Sequence, residues 1–219
     1  MGGDASEQQL IDLDQALVIV RRLVHVAEER GEPLGTPIVL VGGTAMAAHG
    51  LRAQSLDVDL YTSRVPDEAV RAVEQEVAAR LGPSFKLDVT PGENLWGAIL
   101  VRDIADSPEV ERVRTLRGEY VVRVLRVEDL FLLKLAADRD KDRQDLPLLA
   151  AVTEVDGLVR RFNQLQAWHG DRSAVMGFAD ALLAALVRFH GADPATVIDE
   201  LAVGPTTREA LRDAWDIAD

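Results

Sequence analysis

Apolar and polar positions along this chain switch between a helical and a strand period, and the switches mark its elements. Leu10, Leu13, Leu17, Val20 and Val24 recur at helical spacing, predicting an amphipathic helix from Glu7 to Arg30 that Gly31 and Pro33 stop. Ile38 to Val41 is a short β-branched run, the mark of a buried strand, and a short helix from Thr44 to His49 follows and ends at Gly50. Leu56 to Tyr61 alternates: Leu56, Val58 and Leu60 face one side, Asp57 and Asp59 the other. Pro66 opens a helix to Leu81 with Val70, Val73, Val77 and Leu81 as its stripe, and Phe85 to Val89 is a strand closed by Pro91-Gly92. Leu95 to Val101, Arg112 to Leu116 and Tyr120 to Leu125 read as strands, the last two as a hairpin around Arg117-Gly118. Val127 to Asp138 and Asp142 to Val152 read as helices, and from Val155 the pattern is wholly helical, broken at Gly170, Gly191 to Pro194 and Gly204-Pro205. The expected class is α/β (α+β): a mixed β-sheet flanked by helices over residues 1–152, then a helical C-terminal region over 153–219.

Composition narrows the classes. No stretch approaches the ~18 uninterrupted apolar residues of a membrane span, and the start of the chain lacks the basic-then-apolar pattern of a signal peptide. Zero cysteines exclude disulfides and thiolate metal sites. A cytoplasmic protein with no membrane partner is the expectation. The formal net charge of −13 argues against non-specific adhesion to nucleic acid. Between Arg112 and Arg126, however, five arginines (112, 114, 117, 123 and 126) stand against one acid, Glu119, so a polyanion would bind locally.

The chemistry-bearing residues gather around Leu56 to Tyr61. Carboxylates at i and i+2 of a strand share a face, where like charges repel unless a cation or basic group sits between them. Asp88, in a strand suited to lie beside the first, adds a third acid, and three such acids suit Mg²⁺ or Mn²⁺ together with substrate phosphates. Gly42-Gly43 lies where a buried strand passes into a helix, so backbone there can approach a phosphate closely. Thr44 is a helix cap or a hydroxyl donor to phosphate. Lys134 is a lone cation on an apolar helix and needs an anion, a triphosphate or Asp145. His25, His49, His169 and His190 have no metal-ligand spacing, and Trp96, Trp168 and Trp215 are too dispersed for a stacking platform.

The run Gly42-Gly43-Thr44 through Arg52, Ser55, Asp57 and Asp59 resembles the first motif of the polymerase-β-type nucleotidyltransferase superfamily, and most closely that of its AbiEii, or MenT-like, group. That group includes toxins of bacterial toxin–antitoxin pairs. Ser55 stands where the group usually has Thr, and Arg52 stands alone where it often has two basic residues. Lys134, Arg139, Lys141, Asp142 and Asp145 resemble the group's second motif, in which such residues converge on the nucleotide.

The resemblance implies a magnesium-dependent enzyme that moves a nucleoside monophosphate from a nucleoside triphosphate to a hydroxyl. It makes Asp57, Asp59 and Asp88 the metal ligands, with Lys134 and Asp145 joining them as catalytic residues. Gly42, Gly43, Thr44, Arg52, Ser55, Arg139 and Lys141 become substrate-binding. It further implies an RNA acceptor, such as a tRNA 3′ end, reached through the arginines at 112–126, and an antitoxin protein as partner. Two other readings stand beside it. One is transfer to small-molecule or protein hydroxyls, including self-modification at Ser55. The other is a non-catalytic module that binds a partner through its helical tail.

Overall fold

The computed structural model describes residues 10–90, 107–166 and 172–217, in two units that divide after Arg126. The first unit begins with α1 (Leu13–Glu29), started by a reciprocal cap in which Asp12 accepts from the Gln15 amide at 2.8 Å and Gln15 accepts from the Asp12 amide at 3.1 Å. Leu17, Val20, Leu23, Val24 and Ala27 of its apolar stripe are buried, whereas Leu10, expected in that stripe, is exposed because the Asp12 cap starts the helix only after it. Gly31, at φ 76°, lets the chain turn out of the helix.

β1 (Ile38–Leu40) is buried at every residue, as a central strand must be. Next come α2 (Gly42–Ala48), β2 (Val58–Tyr61), α3 (Asp67–Leu81), β3 (Leu87–Thr90), β4 (Glu109–Arg114) and β5 (Glu119–Val124). These strands form one mixed sheet in the order β3-β2-β1-β5-β4. β1 is antiparallel to β2 and parallel to β5, and β2 is parallel to β3. Parallel neighbours need a crossover, and α3 supplies it between β2 and β3. β4, last in the order, reads Glu-Val-Glu-Arg-Val-Arg and carries an irregularity between Glu109 and Glu111; charge and bulge together discourage pairing with another chain.

β2 is shorter than its alternation predicts. Ser55 forms an isolated bridge with Ile11 through hydrogen bonds of 2.8 and 2.7 Å, which bends the chain before Val58. Leu56, expected on the buried side, is therefore exposed. The expected strand from Leu95 to Val101, with Pro91-Gly92, Trp96, Trp168 and His169, lies outside the described residues.

A polar brace sits inside the first unit. Glu28, on α1, accepts from the Tyr120 hydroxyl on β5 and pairs with Arg117 at 3.5 Å. Burial, reinforced by the hydrogen bond to Glu28, pushes the Tyr120 phenol up to about 12.

The second unit is helical: α4 (Val127–Ala137), α5 (Asp140–Ala150), α6 (Val155–Gln166), α7 (Arg172–His190), α8 (Pro194–Glu200) and α9 (Pro205–Ala214). α4 and α5, which the sequence pattern attaches to the mixed sheet, fall within this unit. α4 buries Leu130, Phe131 and Leu132, and Phe162 of α6 meets Phe178 of α7 with ring centres 5.5 Å apart. Asp129 on α4, fully buried, is ion-paired with Arg161 on α6. Asp193 caps α8 through the Thr196 amide at 3.0 Å, and Arg208 donates to the carbonyls of Ile198, Asp199 and Leu201 at its other end. The chain is thus a mixed five-stranded sheet interleaved with helices, followed by a helical C-terminal region, an α/β protein. No helix among the described residues is long and apolar enough to cross a membrane.

Two measurements follow from the buried polar groups. Asp129→Asn removes one partner of a buried ion pair and should lower stability by about 3–5 kcal/mol, read from urea unfolding. Tyr120 has its pKa raised in the folded state, so its contribution is complete below the ordinary tyrosine value of about 10. That contribution is lost as pH rises through about 12. Absorbance at the phenolate band should show one tyrosine ionising that late, a step absent from Tyr120→Phe.

Candidate active site

The candidate site of the first unit is built where β1 runs into α2. The Val41 amide donates to the Asp59 carbonyl at 3.1 Å, carrying the β1–β2 ladder one step past Leu40. Asp59 therefore lies opposite the start of α2. Its Oδ2 accepts from the Gly43 amide at 2.7 Å. This packing explains the two glycines. A Cβ on Gly42 would stand 2.3 Å from Asp59 Oδ2, and one on Gly43 would stand 2.6 Å from Ser55 Oγ. Gly42 also sits at φ +53°, where a side chain strains the backbone.

Thr44 is neither the cap of α2, whose N-cap is Val41, nor turned outward as a phosphate donor would be. It is buried, its Oγ1 accepting from the Asp59 amide at 2.9 Å and donating to the Asp57 carbonyl at 3.3 Å. The threonine thus stitches the first turn of α2 to the entry of β2. Ser55, half-buried, accepts weakly from the Asp57 amide at 3.4 Å. Arg52 is half-buried nearby in sequence. His49 at the end of α2 is hydrogen-bonded through Nε2 to the Leu125 carbonyl at 2.7 Å, a structural tie.

β2 and β3 run parallel with Asp59 directly opposite Asp88, so these two carboxylates start from adjacent positions on one face of the sheet. Asp88 is exposed. Asp57, two residues before Asp59, lies in the bend ahead of β2 and is half-buried. The donors are hard oxygens, the chemistry a magnesium ion takes. Their side chains are not gathered, however: among the described residues no three Asp, Glu or His groups stand together as an ion would require. Asp59 Oδ2 is instead drawn to the Gly43 amide.

The second set of expected residues belongs to the helical unit. Lys134 Nζ is buried between Asp142 Oδ1 at 3.0 Å and Asp145 Oδ2 at 2.7 Å. Asp142 is fully buried, and it also accepts from Arg139 Nε at 2.5 Å. Burial would raise the Asp142 pKa, but hydrogen bonds from Arg139 and then Lys134 outweigh it and hold the carboxyl below its ordinary value. Two cations meet two anions, so the cluster is balanced internally. Lys141 is exposed.

The arginines at 112–126 are likewise engaged. Arg112 pairs with Glu109 and, at 2.9 Å, with Glu119; Arg114 reaches Glu119 at 3.1 Å; Arg123 donates to the Ser107 carbonyl at 2.6 Å. Arg114, with Arg112, holds Glu119 below the usual carboxylate range. Arg112, Arg114 and Arg117 of the basic run are therefore charge-matched by Glu109 just before it, Glu119 within it and Glu28 of α1. Sequence reading missed two pairings, Glu28–Tyr120 and Asp129–Arg161. An acid inside an apolar run, such as Asp129 beside Leu130-Phe131-Leu132, was the available signal.

Gly42→Ala should cost about 1–2 kcal/mol from the left-handed backbone on top of its clash with the Asp59 carboxylate, and Asp59→Ala should relieve the clash but not the backbone strain. Gly43→Ala, whose obstacle is a side chain, should be partly rescued by Ser55→Ala; thermal unfolding of the single and double variants separates the two. Lys134→Met, which leaves Asp142 and Asp145 buried without their shared cation, should cost about 3–5 kcal/mol by urea unfolding. Because the folded pKa of Asp142 is depressed, its contribution is present above the unfolded carboxylate value of about 3.9. It is lost as pH falls through the lower folded value, and Asp142→Asn should flatten that limb of an acid titration. No protein-family model, curated protein or solved structure matches this chain.

Proposed function

We propose that the chain is a divalent-cation-dependent nucleotidyltransferase resembling the AbiEii group, with its chemistry centred on Asp57, Asp59 and Asp88. The observation that carries this reading is the register of β2 and β3, which sets Asp59 level with Asp88 beside the Gly42-Gly43 turn. In the reaction the acceptor hydroxyl oxygen bonds to the α-phosphorus of a nucleoside triphosphate. The bond from that phosphorus to the oxygen bridging to the β-phosphate breaks, and pyrophosphate leaves with the electron pair. In this reading Asp88, exposed on β3, draws the proton from the acceptor. A bound Mg²⁺ or Mn²⁺ supplies charge neutralisation at the phosphates.

The acceptor is RNA on the resemblance. The arginines at 112–126 add little to that choice, since acids and a carbonyl already engage them. A toxin role with an antitoxin partner follows from the same resemblance. The commitment of Asp59 to the Gly43 amide favours one competing reading, a non-catalytic module that keeps the fold and binds a partner.

One assay divides the two. The protein is incubated with each labelled nucleoside triphosphate, Mg²⁺ and total RNA, beside an Asp57→Ala/Asp59→Ala control. Label on RNA that is lost in the control is the expected result. Label on protein or small molecules instead moves the acceptor, and no label on anything defeats the transferase reading.

A further inference from the structure

The first turn of α2 lacks a cap of its own. Its N-cap residue, Val41, has no side chain able to accept a hydrogen bond. An N-cap side chain ordinarily accepts from the amide two or three residues into the helix. Gly43 is the second residue of α2, and its amide is taken by Asp59 Oδ2 at 2.7 Å, from a strand sixteen residues away in sequence. The main chain of Asp59 is pinned on both sides, its amide to Thr44 Oγ1 at 2.9 Å and its carbonyl to the Val41 amide at 3.1 Å. The carboxylate is thus delivered to Gly43 by a fixed backbone, and both glycines leave it room.

We propose that Asp59 is a positioning residue that caps α2 from β2 and fixes the Gly42-Gly43 turn, a task separate from holding an ion. The two tasks make opposite demands on a substitution. Capping needs an acceptor oxygen, which asparagine retains; ion binding needs the negative charge, which asparagine loses. Asp59→Asn should therefore keep the turn, whereas Asp59→Ala should release it. The consequence for nucleotide binding rests on the transferase reading above; the capping itself does not.

The test is hydrogen exchange at the Gly43 amide in the full chain, followed by NMR, with direct Mn²⁺ binding measured on the same samples. Asp59→Ala should speed Gly43 exchange roughly tenfold, the scale of a lost cap, while Asp59→Asn leaves it near the unaltered rate. Asp88→Asn should leave Gly43 exchange unchanged whatever it does to Mn²⁺ binding. If the transferase reading holds, KM for the triphosphate should rise in Asp59→Ala more than in Asp59→Asn. Unchanged Gly43 protection in Asp59→Ala, or equal loss in both variants, overturns the proposal. Absence of Mn²⁺ binding in the unaltered chain counts against the transferase reading alone. Should Asp59→Ala fail to fold, a through-hydrogen-bond coupling between the Gly43 nitrogen and the Asp59 carboxyl carbon decides in the unaltered chain. Its presence supports the cap, and its absence overturns it.

Discussion

The first unit depends on the antiparallel pairing of β1 with β2. Leu40 lies opposite Leu60 and Val39 opposite Tyr61, and the Val41 amide extends the ladder to the Asp59 carbonyl. That register buries Val58 and Leu60 and turns Asp59 toward the start of α2. A slip of one residue would exchange the two faces, burying an aspartate and exposing the apolar pair. The same register makes Gly42 and Gly43 necessary, because a carboxylate and a serine hydroxyl occupy the space their side chains would need. The separate β2–β3 register sets Asp88 opposite Asp59. Core packing and candidate chemistry are two faces of one alignment.

Charge is handled in the same way in both units. Buried ions are matched in place: Asp129 with Arg161, Lys134 with Asp142 and Asp145. A lone buried charge would be costly, whereas a matched cluster mainly holds its helices in one arrangement. Matching extends to the β4–β5 hairpin, where Glu109 and Glu119 answer Arg112 and Arg114. In a chain with a formal net charge of −13, these basic residues are thus engaged by its own acids. Recognition of a polyanion would have to compete with these internal pairs or use residues elsewhere.

The period of apolar residues made most elements readable. α3, α4 and the β4–β5 hairpin lie within a few residues of where Val73-Val77, Leu130-Phe131-Leu132 and Arg117-Gly118 put them, and α1 carries the stripe Leu17-Val20-Val24 but begins at Leu13 rather than Glu7. These features are local: a stripe, a capping residue or a turn glycine acts within one or two turns of chain. Gly42-Gly43 with Asp57, Asp59 and Asp88 could be singled out for the same reason, since residue type and strand alternation place carboxylates on a face without knowledge of their neighbours.

Long-range pairing was beyond that reading. Leu56 follows the alternation of β2 yet is exposed, because Ser55 bonds to Ile11 more than forty residues earlier and bends the chain. Asp142 has the surroundings of a surface helix residue in sequence, but its buried place is set by Lys134 and Arg139 from the preceding turn and helix. Thr44 and Asp59 look like a cap and a ligand until β2 is laid beside α2, when the threonine becomes a stitch and the aspartate a cap. The sequence by itself determined which residues are apolar, which can turn, and which carry charge. Which hydrogen-bonding group meets which was decided only by the tertiary structure, because a polar atom's partner depends on distances that close across the fold rather than along the chain.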